Sequence, residues 1–398
     1  MKLIHLSDLH LGKRLNEFSL VEDQAYILEE CLRVIDAECP DAVLLAGDLY
    51  DKSVPSAEAV VLFDSFLVGL VQRGLQVFAV SGNHDSAERI SFASRILDAN
   101  GVHFSRAFAG TVEPVILQDS FGEVRFWLLP FLKPALVRPH YPDAEITDYT
   151  AAYRTVIESM QINRSVRNVL VAHAFVTGAV RSESEEVSVG GADNVDASVF
   201  EGFDYVALGH IHGPQNITGR IRYCGTPLKY SFSEARQQKS VTVVELGAKG
   251  ELSLRTVPLI PKRDLCELRG TYMQLTSKAD YDKRNREDYM HITLTDEEDI
   301  PDAVSRLRLI YPNLMKLDYD NTRTRTRGAI DGAGTLSGKR PCSSSANCTK
   351  SRTAPLCPPS RRPFAQACWS ASGRWTHEAA EADDLCLRPL CGQDRDRF

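Results

Sequence analysis

The 398-residue chain has no uninterrupted apolar run of about 18 residues, the length a membrane-crossing helix needs. Its opening, MKLIHLSDLHLG, places Asp8 and His10 where a secretory leader requires an unbroken apolar stretch. No membrane association and a cytoplasmic location are therefore expected. Positive charge is not in excess either: the net charge of −7 excludes a globally basic nucleic-acid coat protein. It leaves open an enzyme that handles nucleic acid with metals held in an acidic site. Cysteine is sparse up to residue 334, where Cys31, Cys39, Cys224 and Cys266 stand at unrelated spacings. Neither a disulfide framework nor a zinc-binding pattern follows from them.

Residues 335–398 lack Ile, Val, Met and Tyr altogether and carry six of the ten cysteines. No core can be built from the five scattered leucines of that stretch. It has no C-x-x-C pair and a single histidine, His377, so a metal module is not expected there. The peptide PCSSSANCTKSRTAPLCP can be back-translated so that its third-position frame reads VQLFSELYEKQNGAPMS. Another frame of THEAAEADDLCLRPLCGQDRDRF reads MKPLKLTISAFGPYAGKTEIDF. The tail is expected to be disordered and translated in a shifted frame.

What is present is the balance of a soluble globular protein, 43% apolar and 25% charged, at a length that calls for two or more domains. The first third alternates short apolar runs (2–7, 42–47, 76–81) with helical periodicity over 20–38 and 55–73. That alternation predicts βαβ units and a mainly parallel sheet. Further strands are expected at 123–130, 167–172 and 203–208. Strands without long helices follow at 220–224, 240–246 and 252–259, which would suit a second sheet packed on the first. Boundaries fall at 1–260 for the main body and 261–320 for a small α+β cap. A basic, Gly-rich linker at 321–334 precedes the tail.

Five polar clusters close predicted strands: Asp8 and His10 (SDLH); Asp48 and Asp51 (GDLYD); Asn83, His84 and Asp85 (GNHD); His173 (VAH); His210 and His212 (GHIH). Ligands collect at the carboxyl ends of strands in open α/β sheets. Each cluster alone says little, but five in order, each ending an apolar run, are hard to assemble by chance. Imidazoles, carboxylates and an amide carbonyl, with no thiolate, suit Mn, Fe or Zn, and one bridging carboxylate would let them fill two coordination spheres. Two ions about 3.5–4 Å apart serve in-line phosphoryl displacement.

D-x-H, GD-x-x-D, GNHD, a strand-end His and GH-x-H together resemble the signature of the calcineurin-like metallophosphoesterases. MKLIHLSDLHLGK, GDLYDKSVPS, VAHAFVTGA, GHIHGPQ and YCGTPLKYSFSE are similar, more narrowly, to the SbcD family of nuclease subunits. The resemblance spans about residues 1–334. It implies an α/β fold, a two-sheet sandwich flanked by helices, with a small α+β cap. It implies a Mn-dependent DNA nuclease, an exonuclease and endonuclease cleaving duplex ends and hairpins in recombination and repair. Its partner would be an SbcC-type, SMC-like ATPase, and the nuclease subunit would be a homodimer.

Carried onto this sequence, the resemblance implies that Asp8, His10 and His212 hold one ion and Asn83, His173 and His210 the other, with Asp48 bridging. His84 would act on the scissile phosphate as general acid, and Asp51 would orient its imidazole. Asp85 is expected to cap the following helix. Arg181, with 182–191, is either a DNA contact or part of a solvated loop. Arg323, Arg325 and Arg327 either track phosphates or form a solvated linker. Val60, Phe63 and Leu67 on the second helix are candidates for dimer contacts, with core packing the favoured reading. The two shifted-frame peptides resemble the end of an SbcD protein and the start of its ATPase partner, which places ATPase binding by this chain in doubt. Competing readings are a stand-alone phosphoesterase acting on small phosphodiesters or cyclic nucleotides, and a non-enzymatic scaffold.

Overall fold

The computed structural model describes residues 1–183, 185 and 193–324. Two six-stranded sheets pack face to face. The first runs Leu252–Pro258, Ser240–Leu246, Lys2–Leu6, Ala42–Ala46, Gln76–Val80, Val102–Phe104. Its last four strands are parallel, joined in turn through helix Val21–Glu38, helix Ala57–Gln72 and the short helices Ala87–Ile90 and Ser94–Leu97, as the βαβ pattern requires. The second sheet runs Gln215–Asn216, Ile221–Tyr223, Tyr205–Gly209, Arg167–His173, Gly122–Leu129, Val115–Asp119.

The central strands are apolar on both faces because both faces are covered. Between the sheets lie Leu44, Phe78, Val80, Phe126, Val171 and Tyr205 among others, with Phe78 and Phe126 stacked at 4.2 Å. Outside the first sheet, Ile27, Cys31, Phe63, Phe66 and Leu70 of the two helices pack on Ile4, Val43 and Val77. Outside the second, helix Tyr149–Ser159 packs on Trp127, Leu170 and Val206.

The second sheet differs from the expectation. It is built from 122–129, 167–173 and 205–209, and only 221–223 of the later strands joins it. Strands 240–246 and 252–258 form a hairpin that returns to the first sheet, 240–246 pairing antiparallel with Lys2–Leu6. The physical reason is the free edge of the opening strand, a pairing partner more than 230 positions away.

Phe63 is buried and Leu67 packs half-buried against the core, whereas Val60, Val61 and Val68 of the same helix are exposed. Beyond Pro261, strands Leu265–Gly270, Tyr289–Leu294 and Leu314–Tyr319 make a three-stranded parallel sheet covered by helix Ala303–Arg308. This small sheet is bolted to the start of helix Val21–Glu38. Arg263 donates Nε and Nη2 to the buried Asp23 carboxylate at 2.9 and 3.0 Å, and Tyr289 donates its hydroxyl to the same carboxylate at 2.6 Å. No described helix is long and apolar enough to cross a membrane. Residues 335–398, read as a shifted-frame tail, lie outside the described residues, as do Arg325 and Arg327.

Candidate metal centre

Each polar cluster lies at or just past the carboxyl end of a parallel strand: 2–6, 42–46, 76–80, 167–173 and 205–209. The loops are stitched to one another by backbone bonds. Asp8 N–H donates to Gly47 O and His10 N–H to Asp48 O, both at 2.9 Å. The amide of His210 donates to both Asp8 carboxylate oxygens, at 2.9 and 3.1 Å.

This convergence bends the backbone. Asp8 (φ 52°), His10 (45°), Asp48 (49°) and His210 (101°) all take positive φ. Such conformations cost L-residues about 1–3 kcal/mol each and persist where surrounding structure enforces them. The glycines of the motifs are explained by the same crowding. A Cβ on Gly82 would lie 2.1 Å from Asp48 Oδ1, and one on Gly209 would lie 1.8 Å from Ala46 O.

Asp48 is the member common to two groups of three, His10–Asp48–His84 and Asp8–Asp48–His173, in each of which the donor atoms lie within 4.8 Å of one another. Its Oδ2 faces three imidazoles, with Nε2 of His173, His10 and His84 at 3.3, 3.8 and 4.0 Å. Its Oδ1 accepts the His84 amide at 2.9 Å. Asn83 Oδ1 sits between His173 Nε2 and His210 Nδ1, at 2.9 and 3.0 Å. His173 Nδ1–H donates to Ala46 O at 2.9 Å, which turns Nε2 into the site. The structure thus brings Asp8, His10, Asp48, Asn83, His84, His173 and His210 together, with the His212 ring 5.1 Å from that of His10. Asp8 also comes close to His173 beside the shared Asp48. In this structure the two residues lie side by side as a charge pair, His173 Nδ1 to Asp8 Oδ1 at 3.9 Å.

Charge is poised accordingly. Burial opposes protonation of His173, but the Asp48 carboxylate outweighs it and raises the imidazole to about 9. Burial disfavours the Asp48 anion, yet His173, His10 and His84 hold it well below the usual carboxylate range. Asp8 is raised to about 6, first by burial, with Asp48 adding to the shift and His173 opposing it. Burial lowers His210 to about 3 and His10 well below its ordinary value. Both ring nitrogens of His10 and Nε2 of His210 are buried without a hydrogen-bond partner. Such orphans are costly unless something fills them. A nitrogen and oxygen donor set clustered on carboxylates fits divalent cations.

Two expectations are corrected by the local geometry. The Asp51 carboxylate does not meet His84; it accepts from Lys13 Nζ at 2.7 Å, and His84 Nδ1–H donates instead to the Asp51 main-chain oxygen at 3.0 Å. Asp85 caps no helix. Ser86 takes that place, while Asp85 accepts from the amides of Leu49, Tyr50 and Gly82 at 3.1, 3.0 and 2.9 Å, clasping the GDLYD loop to the GNHD loop. Three amide donors in a bend outcompete a single helix-end bond.

Arg181 is not a solvated side chain. It lies 3.4 Å above the Phe175 ring and donates Nη2 to Asp193 at 2.9 Å. Arg323 is exposed and pairs with Asp299.

The sequence reading missed Glu234, Lys239 and Glu185. Glu234 Oε1 lies 3.1 Å from His212 Nδ1, and Lys239 Nζ donates to Glu234 Oε2 at 2.6 Å and to His212 O at 2.9 Å. Glu185 Oε1 accepts the His212 amide at 2.6 Å. Both carboxylates are buried, and the pair of Glu234 with Lys239 is closed off from solvent. The signal available was position, since Glu234 belongs to the YSFSE run and Glu185 to the acidic stretch read as a surface loop. Gln24 was also missed: its Nε2 donates to His10 O at 2.7 Å and its Oε1 accepts from Gly12 N at 2.9 Å, fixing the first loop.

Comparison with known proteins agrees with this geometry. The calcineurin-like phosphoesterase family matches residues 1–214, and the family described as the type 5 capsule protein repressor C-terminal domain matches residues 261–342. The SbcD component of nuclease SbcCD from Staphylococcus epidermidis is 35% identical over 322 residues, 80% of this chain and 85% of that protein. Its counterpart in Staphylococcus saprophyticus is 34% identical over 322 residues, 80% of this chain and 84% of that protein. A strand-end cage shared through Asp48, on a two-sheet sandwich, together with these matches, makes the chain a member of the calcineurin-like phosphoesterases, in the family of the SbcD component of nuclease SbcCD.

Proposed function

We propose that the chain is the DNA-cleaving subunit of an SbcCD-type complex, a cytoplasmic phosphodiesterase that uses two manganese ions to cut duplex ends and hairpins. The observation that carries the reading is Asp48 Oδ2 with three imidazole nitrogens within 4.0 Å. One carboxylate oxygen cannot satisfy three imidazoles, but a carboxylate shared between two cations would take up His10 on one side and His173 on the other and leave His84 for the substrate. Asp8, His10 and His212 would hold one ion and Asn83, His173 and His210 the other, with Asp48 serving both. When bound, the ions supply Lewis-acid polarisation of the phosphate and a nucleophile at neutral pH.

The chain's own residues do the rest. Glu234 and Ala46 O fix the rings of His212 and His173 through their Nδ1 atoms. Asp51 O holds His84 Nδ1–H, which leaves Nε2 as the nitrogen that carries a transferable proton when the ring is charged. His84 gives that proton to the leaving oxygen. The partner is an SMC-like ATPase of the SbcC type. A frame shift near residue 335 would remove the segment that grips it, so this chain binds that partner weakly. The exposed Val60, Val61 and Val68 offer a homodimer contact.

The test is cleavage of a labelled DNA hairpin and a blunt duplex with manganese, beside bis-p-nitrophenyl phosphate. Cleavage of both DNA forms supports the reading. Turnover of the small ester with none of either DNA overturns it.

A further inference from the structure

Two aromatic rings flank the His210 imidazole. Phe131 lies nearly parallel to it at 6.5 Å and Phe175 inclined at 6.3 Å. The Arg181 guanidinium lies on the Phe175 ring, 3.4 Å from its centroid. A cation laid flat on an aromatic ring loses little entropy when it meets a planar acid, because its fork is already fixed. Arg181 has one acid, Asp193, on Nη2 at 2.9 Å, and its side chain is only 17% exposed. Nε is buried without an acceptor. A guanidinium offers five donors, and among the described residues this one spends them on a single carboxylate oxygen. It stands one aromatic ring from a residue of the metal cage, held rigidly and short of acceptors.

We propose that Arg181 is the phosphate-positioning residue of this site, holding the backbone phosphate next to the scissile one on the His210 side through its planar fork. The inference rests on the DNA-cleaving reading above and adds to it a substrate contact. The ligand class is a nucleic-acid backbone at least two phosphates long. A small diester has no second phosphate and cannot reach the fork. Arg181 therefore sets preference between long and short substrates and does not take part in bond breaking.

The experiment compares the full chain with Arg181→Ala and Arg181→Lys on a labelled oligonucleotide duplex and on bis-p-nitrophenyl phosphate, with manganese. For Arg181→Ala, KM for DNA is expected to rise about tenfold, with the change in KM larger than that in kcat. The DNA-to-ester ratio of kcat/KM falls by a similar factor. Arg181→Lys keeps the charge but loses the fork and recovers less than half of that loss. The salt dependence of DNA binding shallows by about one in slope for Arg181→Ala, which lost packing alone would not produce. A DNA KM within twofold of the unaltered chain overturns the inference, as does an equal fall on both substrates. If the unaltered chain itself cleaves the ester and not DNA, the underlying reading fails first and is recognised separately.

Discussion

His84 donates Nδ1–H to the main-chain oxygen of Asp51 at 3.0 Å, while the Asp51 carboxylate accepts from Lys13 at 2.7 Å and lies 3.8 Å from His10 Nδ1. The His84 imidazole is thus oriented by backbone that no side-chain change at 51 removes. Asp51→Asn is expected to leave kcat within about fivefold, since the amide oxygen still accepts from Lys13 and the main-chain oxygen that holds His84 is untouched. Steady-state kinetics decide the point. A fall as deep as that of His84→Ala would return the orienting role to the carboxylate.

His84→Ala should lower kcat by about 10²–10⁴, the range of a lost general acid. Because His84 also lies within reach of Asp48 Oδ2, at 4.0 Å, the same variant should be titrated with manganese by calorimetry. Affinity within threefold of the unaltered chain fits an acid. Loss of one bound equivalent would make His84 a ligand.

Glu234→Gln removes the buried anion that faces both His212 Nδ1 and Lys239. Manganese affinity is expected to fall about 10–100-fold, the usual cost of losing a carboxylate behind a ligating histidine. The fold need not melt, since Lys239 keeps Gln237 Oε1 at 2.8 Å. Electron paramagnetic resonance of bound manganese reads the change directly.

Gly209→Ala places a methyl group 1.8 Å from Ala46 O and 2.8 Å from His173 Nδ1. Both neighbours are fixed, one by the sheet and one by its bond to that same oxygen, so relief requires the two sheets to move apart. A loss of about 3 kcal/mol or more, at the upper end of overpacking, is expected in chemical denaturation. A change under 1 kcal/mol would contradict the close approach.

Asp119 accepts from Arg167, from the chain's amino terminus at 3.0 Å and from the Phe121 amide at 2.8 Å. The Arg167 hydrogen bonds, opposed by partial desolvation, hold its carboxyl well below the usual range. A depressed acid contributes stability in full above the unfolded value near 3.9 and loses it as pH falls through the folded one. Asp119→Asn should cost about 1–3 kcal/mol at pH 7, leaving buried Arg167 short of a partner. That difference should close progressively below pH 4, as melts across a pH series would show.

The strand ends and their polar clusters were legible because period, composition and motif agree there: AVLLA must be buried, and GD must leave it. The fate of SVTVVEL was not legible. Its alternation announces a strand, but nothing local says that its neighbour is KLIHL at the opposite end of the chain. Asp85 reads as a cap from its place before SAERI, and only the assembled GDLYD loop, whose Leu49 and Tyr50 amides it accepts, gives it another role. Asp51 was misread for a related reason, since a side chain and a carbonyl of one residue are indistinguishable in a motif. Glu234 and Lys239 escaped because charged residues in a loop are ordinarily solvated, and their burial exists only once His212 arrives beside them.

Leu265 and Tyr289 of the small sheet share an apolar cluster with Ile27 and Leu28 of the helix that carries Asp23 and Gln24. Asp23 is gripped from the small sheet's side by Arg263 and Tyr289, and Gln24, its neighbour, grips the His10 loop. A fragment cut at residue 260 would therefore not be trimmed along a wet seam. It would bare greasy surface at the foot of that helix and release one of two adjacent moorings, so shortened versions of this enzyme should aggregate before they can be assayed.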